Sequence, residues 1–171
     1  MSEELFDIFN ENNQPLGFTK SRKEVHASVQ YWHRATQIWI TNSRKEILCQ
    51  LRSALQDVNP SKWMSFFGGH LKSGQGYLAS AVQETKEEIG LDIGPNQLIS
   101  LGVKKNKKHK HFSQTYILQW DGEVGSLRLD KNEVELIKWL SVKDLQNEID
   151  QGKFCNTIDD KVIEYINNEI N

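Results

Sequence analysis

The chain has 171 residues, a formal net charge of −2 and an apolar fraction of 37%. This length suits one sizeable domain, and the near-balanced charge excludes a global attraction to nucleic acid or to anionic membranes. No apolar run approaches the roughly 20 residues that cross a bilayer. The acidic start lacks the basic onset of a secretory signal, and the two cysteines have no paired spacing, which together favour a reducing cytoplasm.

The first part of the chain is rich in predicted strands. Residues 4–9 (ELFDIF) alternate, and turn residues separate them from a returning strand, which predicts an N-terminal β-hairpin within residues 1–30. The free edge of this hairpin offers a surface for a homodimer. HRATQIWI and KEILCQLR flank the polar turn TNSRK and predict a second hairpin. Residues 53–63 are irregular, with Pro60 blocking a helix.

The remainder mixes helices with strands. Periodicity predicts a helix over Tyr77–Ile89 that ends at Gly90, with a core face made by Leu78, Val82, Thr85 and Ile89. Strands are predicted at LISLGVK, FSQTYILQW and EVELIKWL, and two late helices at SVKDLQNEI and NTIDDKVIEYINNEI. This order predicts an α+β fold in which a mixed sheet lies between helices.

Three glutamates are crowded near the end of the central predicted helix. Glu84, Glu87 and Glu88 are spaced i, i+3 and i+4, so they share a face roughly opposite the predicted core face. A solvated helix face is the simpler interpretation of such a run. A glycine-rich loop precedes this helix, however, and Mg²⁺ prefers carboxylate and carbonyl oxygens. The pattern therefore predicts a divalent-cation site for a phosphate ester or anhydride.

The stretch from Gly69 to Leu91 resembles the Nudix box. That signature reads Gly, five residues, Glu, seven residues, then Arg-Glu-apolar-x-Glu-Glu-x-Gly-apolar. The spacing here matches throughout, with Gln75 in place of the first Glu, Gln83 in place of the Arg and Thr85 in place of an apolar residue. FDIFNENNQPLGFTKSRKEVH, YWHRATQIWI and EVELIKWLSVKDL are similar to the branch that also contains isopentenyl diphosphate isomerase.

The resemblance implies one Nudix domain over residues 1–171, with its box at 69–91 and an α/β/α sandwich. It implies Mg²⁺- or Mn²⁺-dependent hydrolysis of a pyrophosphate bond in a small diphosphate substrate linked to a nucleoside. By carry-over, the metal ligands would be Glu84, Glu87, Glu88 and the Gly69 carbonyl. Glu84 and Glu87 would also be catalytic, together with Glu133, which matches an acidic strand-start position in some relatives; Glu133 could instead be a charge that protects a strand edge.

Two alternatives remain open. Gln83 lies four residues before Glu87 and could donate a hydrogen bond to its carboxylate, although a neutral amide holds it less firmly than a guanidinium. A catalytically weak binding protein with the Nudix fold is therefore the competing hypothesis. Isomerase activity is the other alternative, but Gly68 stands where the relatives' active-site cysteine would be.

Basic side chains supply the predicted substrate contacts. Arg52 is predicted to contact a substrate phosphate or base, because arginine binds phosphate bidentately. His33 and His70 are predicted to bind substrate or to orient loops. The lysine-rich residues 104–111 lack interleaved aromatic side chains, so a solvated hairpin tip is favoured over a nucleic-acid platform.

The histidines also allow a metal cluster. Three of them match positions of metal-binding histidines in the isomerase relatives, and two more fall about where those relatives carry glutamates. The five are His26, His33, His70, His109 and His111. Imidazole ligands would favour a borderline metal, provided that their side chains converge.

Overall fold

The computed structural model describes residues 4–27 and 30–170. Within these ranges the chain forms an α+β sandwich with eight strands and four α-helices. The strands are β1 (Leu5–Phe9), β2 (Pro15–Ser21), β3 (His33–Thr41), β4 (Glu46–Arg52), β5 (Trp63–Met64), β6 (Leu98–Asn106), β7 (His111–Gln119) and β8 (Val134–Ser141). The helices are α1 (Arg22–Ala27), α2 (Tyr77–Ile89), α3 (Val142–Asp150) and α4 (Asp160–Glu169).

The main sheet is mixed, as the order of elements predicts. Its path is β5-β4-β3-β7-β6, with β8 paired to β4, and β3 and β7 run parallel while the other pairs are antiparallel. In the described chain, the predicted hairpin of β3 and β4 is paired at Thr41–Ile47 and no further. The strands then separate because each has another partner, β7 for β3 and β8 for β4.

Successive apolar side chains of the central strands lie on opposite faces of the sheet, and both faces are buried. Ile38 and Ile40 of β3 join a core cluster with α2, whereas Trp39 between them joins a second cluster with α3 and α4. Ile117 and Leu118 of β7 divide in the same way. Because successive side chains of a strand point to opposite faces, this run requires helices on both sides.

Helix α2 has the predicted bounds but a different buried face. Gly90 ends it with a φ of 69° and donates its N–H to the Lys86 carbonyl, as expected for a left-handed glycine cap. Leu78 is 38% exposed, so its predicted place in the core is wrong. The buried residues of α2 are Ser80, Ala81, Thr85, Glu88 and Ile89. The core face is therefore rotated relative to the prediction and includes a glutamate.

The late helices start close to their predicted positions. The Ser141 side chain caps α3 by accepting the Asp144 N–H, as predicted. Asp159 caps α4 by accepting the Lys161 N–H, so Ile158 precedes that helix although it is buried in the core. None of the helices in residues 4–27 and 30–170 is long and apolar enough to span a membrane.

The N-terminal hairpin is present, and a short helix that was not predicted follows it. β1 and β2 pair antiparallel, and Phe6 and Ile8 pack on Val25 of α1. The Ser21 and Glu24 side chains cap each other's backbone N–H groups at the start of α1. This capping box was readable in the sequence as Ser-Arg-Lys-Glu, but a six-residue helix is too short for periodicity to reveal.

Candidate functional site

Three carboxylates meet at the C-terminal half of α2. Glu84, Glu88 and Glu133 each offer an oxygen within 4.8 Å of the others. Glu133 reaches this point because the loop before β8 is tied to α2: the Asp130 N–H donates to the Glu88 carbonyl over 3.0 Å, and the Glu133 N–H donates to the Asp130 carbonyl over 2.9 Å. Two elements far apart in sequence therefore supply one acidic cluster.

The glycine pair before α2 is packed against this cluster. The Gly68 N–H donates to Oε2 of Glu88 over 3.2 Å. A Cβ on Gly69 would lie 3.2 Å from both carboxylate oxygens of Glu84. Gly68 has a φ of 116°, and a Cβ there would lie 2.5 Å from the Thr36 carbonyl oxygen. Position 68 therefore has no room for a cysteine side chain, which weighs against the isomerase alternative.

Burial and repulsion by neighbouring carboxylates raise the pKa values of all three carboxyl groups in the cluster. Burial, reinforced by Glu133 and Glu87, raises the pKa of Glu84 to about 7. Burial, then Glu84 and Glu133, raises the pKa of Glu88 well above its usual range. Burial, then Asp130 and Glu87, raises the pKa of Glu133. Within the described chain Glu84, Glu88 and Glu133 form no ion pair, whereas Oε2 of Glu87 lies 3.8 Å from Lys72 Nζ. Three converging carboxylates in need of positive charge are a donor set that fits Mg²⁺ or Mn²⁺.

Glu87 lines the same cavity as these carboxylates but lies outside their close group. A chain of amides holds it. The Lys72 N–H donates to Gln75 Oε1 over 2.9 Å, Gln75 Nε2 donates to Gln83 Oε1 over 2.7 Å, and Gln83 Nε2 donates to Glu87 Oε1 over 2.5 Å. The predicted bond from Gln83 to Glu87 is confirmed. The two glutamines that depart from the signature therefore form a neutral relay between the loop and Glu87.

The cavity that the carboxylates line measures about 290 Å³ and also carries cationic side chains. Arg52, the predicted contact for a substrate phosphate or base, lines it; its Nε donates to the Val58 carbonyl and one terminal nitrogen donates to Gln56 Oε1. Sequence reasoning missed Arg22 and Lys72, which line it too. Lys72 could have been found from its place in the glycine loop. Arg22 had no local signal, because it reaches the site through the packing of the hairpin and α1.

The predicted histidines divide between this cavity and its neighbour. His70 lines both, whereas His33 lines the adjoining cavity of about 240 Å³. The residues lining that second cavity are Val25, His26, His33, Val58, His70, His109 and His111. Burial is the main cause that lowers the pKa of His33 to about 4. The geometry does not bring His33 to the acidic cavity, so its contact with substrate stays a prediction.

Several of the lysine-rich residues border a third cavity. Lys104 and Lys105 lie near the end of β6, and with Trp39 they line a space of about 1120 Å³. Gln37 and Phe66 line both this space and the acidic cavity, so the two adjoin.

Comparisons with known proteins identify close relatives of this chain. A family model described as NUDIX domain matches residues 31–157. An uncharacterised Nudix hydrolase from Clostridium acetobutylicum is 33% identical over 88% of this chain and 76% of that protein. Nudix hydrolase 3 of Arabidopsis thaliana is 28% identical, and the match covers 86% of this chain and 20% of that longer protein.

Solved structures show the same fold. A crystal structure from Deinococcus radiodurans has a TM-score of 0.76 and 20% identity, covering 96% of this chain and 98% of that one. A MutT protein from Methanosarcina mazei has a TM-score of 0.56 and 16% identity, covering 81% and 94%.

Proposed function

The chain belongs to the Nudix family of hydrolases, and from this premise we propose that it cleaves a pyrophosphate bond in a small nucleoside diphosphate-linked substrate with the help of a divalent cation. The observation that carries the proposal is the convergence of Glu84, Glu88 and Glu133 within 4.8 Å. Like charges repel, so a buried arrangement of this kind is costly unless a cation or a proton neutralises it.

Mg²⁺ or Mn²⁺ is the cofactor that we propose. Glu84, Glu88 and Glu133 would hold it, and Glu87 and the Gly69 carbonyl are further ligands in this proposal. The Gly69 carbonyl accepts the Thr36 N–H over 2.9 Å, which orients it and leaves its second lone pair. When bound, the cation would neutralise charge on the diphosphate oxygens.

The chain's own groups supply the rest of the chemistry. A water oxygen attacks phosphorus, the bond from that phosphorus to the bridging oxygen breaks, and the water's proton passes to a carboxylate oxygen of Glu84, Glu87 or Glu133. The amide relay keeps one oxygen of Glu87 fixed at Gln83, so the other is directed toward the cavity and toward Lys72 Nζ, 3.8 Å away. We propose that Gln75 and Gln83 replace, as a neutral hydrogen-bonded pair, the Glu and Arg that the signature has at these two positions.

We propose that cationic and imidazole side chains lining the acidic cavity bind the substrate. Arg52 is proposed to contact a phosphate oxygen, supported by Gln56 and by the Val58 carbonyl that hold its guanidinium. His70 is proposed to contact the same group, since it lines the acidic cavity. The adjoining space beside Phe66 and Lys105 suits the organic part of the substrate.

The test is Mg²⁺-dependent phosphate release from a panel of nucleoside di- and triphosphates, nucleotide sugars, dinucleotides and thiamine diphosphate. We expect turnover by the wild type and its loss in Glu88→Gln. Binding of nucleotides without turnover of any of them would instead support the alternative of a Nudix-fold binding protein. A cytoplasmic location and a homodimer stay predictions, as does the assignment of all 171 residues to one domain.

A further inference from the structure

The large cavity beside the acidic one is lined by charge of the opposite sign. Four lysines line it against two aspartates, whereas the acidic cavity has five glutamates against three arginine and lysine side chains. Gln37 and Phe66 line both spaces, so one long ligand can occupy the two together. We call the larger space the lysine cavity, after Lys104, Lys105, Lys107 and Lys108.

One face of the main sheet contributes three strands to the lysine cavity. Gln37 and Trp39 lie two apart on β3, so their side chains share a face. Ser113 of β7 is paired with the residue two before Gln37, and Lys104 of β6 is paired with Ser113. Paired residues of neighbouring strands project on the same face. Residues 154–160, which lead into α4, also line this space.

Two buried polar groups of the residues on this face have no hydrogen-bond partner. Trp39 is 1% exposed and Ser113 is 5% exposed, and both line the lysine cavity. Within the described chain, Trp39 Nε1 and Ser113 Oγ form no hydrogen bond. An indole N–H can only donate, and a hydroxyl can donate or accept. An unmade hydrogen bond at a buried group costs about 1–3 kcal/mol, so a ligand with acceptor oxygens would relieve this cost.

Two lysines at this cavity have no carboxylate partner. Lys104 Nζ is paired with Asp159 over 2.7 Å, and Lys105 Nζ donates to a backbone carbonyl of the N-terminal hairpin. Lys107 and Lys108 are exposed in the turn between β6 and β7, and they form no ion pair with any described residue. An ammonium group is a compact positive charge with three donors. This turn therefore offers unneutralised positive charge to an anion.

The two cavities would bind a phosphate in different ways. In the acidic cavity a phosphate meets clustered carboxylates, so it needs the proposed cation as a bridge. In the lysine cavity, N–H and O–H donors and ammonium groups can bind a phosphate directly. The rings of Trp39 and Phe66 have centroids 5.7 Å apart and offer aromatic surface to a planar base. The nucleoside half of the substrate therefore suits the lysine cavity.

We propose, building on the function proposed above, that the substrate carries a second anionic group, separate from the diphosphate that is cleaved, and that the lysine cavity binds it. The substrate class is a nucleoside diphosphate derivative with a further phosphate on its ribose. The Trp39 indole and the Ser113 hydroxyl donate to acceptor oxygens of this half of the substrate, and Lys107 and Lys108 neutralise its added charge.

Nucleotides without a pyrophosphate bond test this site, because their binding can be measured without any turnover. The probes are the 2′,5′- and 3′,5′-bisphosphates of adenosine, guanosine, cytidine and uridine, each compared with its 5′-monophosphate by calorimetry on the full-length protein with Mg²⁺. We expect at least one bisphosphate to bind about 10-fold or more tightly than its monophosphate, through charge-assisted hydrogen bonds. High salt should reduce this preference, because it screens exposed charges.

The buried hydroxyl gives the sharper variant. Ser113→Ala should weaken binding of the preferred bisphosphate by about 3-fold or more without lowering the thermal midpoint, since it removes a buried hydroxyl that has no partner in the free protein. The matched control is Ser80→Ala, because Ser80 Oγ is also buried and unpaired in the described structure but lies on α2, outside the lysine cavity. Ser80→Ala should leave binding unchanged.

The lysines are tested by a double variant. Lys107→Gln with Lys108→Gln should reduce the preference for the bisphosphate to less than about 3-fold and leave binding of the monophosphate unchanged, because the lost charges face only the added phosphate. The control is Lys143→Gln, at an exposed position outside this cavity.

Two results would overturn the proposal. The first is that no bisphosphate binds more tightly than its monophosphate. The second is a preference that persists unchanged in both the Ser113→Ala and the double lysine variant, once circular dichroism has shown that they fold. Failure of the proposed function gives a different result, in which bisphosphates bind as expected but no member of the diphosphate panel releases phosphate.

Discussion

The Gly68 N–H donates a hydrogen bond to Oε2 of Glu88 over 3.2 Å, joining the glycine loop to the last turn of α2 across twenty residues of sequence. Glu88 is 3% exposed and belongs to the core face of its helix. A buried carboxylate with one backbone donor is poorly compensated. This pair therefore marks a place where stability is lost to keep a carboxyl group beside those of Glu84 and Glu133.

Replacing Glu88 with Gln keeps the shape and removes the charge. We expect phosphate release to fall by at least about 100-fold, because a direct metal ligand matters more than the outer contacts whose loss costs 10–100-fold. The thermal midpoint of the metal-free protein should not fall, since a buried like-charge cluster is relieved. Steady-state kinetics and a thermal melt measure the two effects. The control is Glu135→Gln, whose residue is exposed and lies outside the acidic cavity; equal losses in both variants would contradict this prediction.

The stability of the metal-free protein should depend on pH through Glu84. Its pKa rises from 4.5 to about 7 on folding, so the folded state holds the proton more tightly. The resulting stabilisation is fully present below about pH 4.5 and is lost as the pH rises through about 7. Glu84→Gln should therefore raise the thermal midpoint by roughly 7–14 °C at pH 8 and by much less at pH 5. An equal change in thermal midpoint at pH 8 and at pH 5 would contradict this pH dependence.

At pH 8, saturating Mg²⁺ should make the thermal midpoint of the wild type higher than that of Glu84→Gln, the reverse of the metal-free order. The cation neutralises the carboxylates of the wild type, so its midpoint should rise, whereas Glu84→Gln should gain little. Melts of both proteins with and without Mg²⁺ measure the difference.

The glutamine relay makes a prediction about paired changes. Gln83→Ala breaks the hydrogen bond to Glu87 and should lower kcat by about 10-fold with little change in stability. Gln75→Glu with Gln83→Arg restores the charged pair of the family signature, and this double variant should equal or exceed the wild type. Activity that is unaffected in Gln83→Ala would show that the relay has no part in positioning Glu87.

Alanine substitutions at Gly69 and Gly68 should have different effects, the first on activity and the second on stability. Gly69→Ala places a methyl group 3.2 Å from the Glu84 carboxylate, which can shift, so activity should fall by about 10-fold or more while the fold persists. Gly68→Ala places a methyl group 2.5 Å from the Thr36 carbonyl at a positive φ, so the protein should lose at least about 2 kcal/mol of unfolding free energy. Chemical denaturation of the two variants checks the contrast.

Arg52 should affect substrate binding more than turnover. Arg52→Lys keeps the charge but cannot hold both Val58 and Gln56 while contacting a phosphate. The KM should rise by about 10-fold with a smaller change in kcat. The control is Lys62→Arg, at an exposed position outside the acidic cavity. A KM that is unchanged in Arg52→Lys would contradict the proposed contact between Arg52 and a substrate phosphate.

Local patterns predicted most of the secondary structure. The bounds of α2, the Ser141 cap and the alternation of β3 all depend on neighbouring residues, so the sequence alone reveals them. The rotated core face of α2 was missed because Glu88 looks like a solvent residue until the Gly68 N–H is placed beside it. The separation of β3 from β4 was missed because their other partners, β7 and β8, are distant in sequence.

The part of the candidate site that lies on a single helix could be predicted from residue spacing. Glu84 and Glu88 follow from the box, and Glu133 was a plausible addition. The contribution of Arg22 and the convergence of His26 on His70 depend on how the N-terminal hairpin packs, and no local pattern contains that information.

Mn²⁺ titration of the wild type, Glu84→Gln and Glu88→Gln, followed by electron paramagnetic resonance, tests the carboxylate site most directly, because free Mn²⁺ has a strong signal that binding diminishes. We expect the wild type to bind Mn²⁺ in the micromolar to millimolar range, more tightly with a nucleoside diphosphate present, and both variants to lose at least about 10-fold in affinity. Equal Mn²⁺ affinity in all three proteins would contradict the assignment of Glu84 and Glu88 as metal ligands.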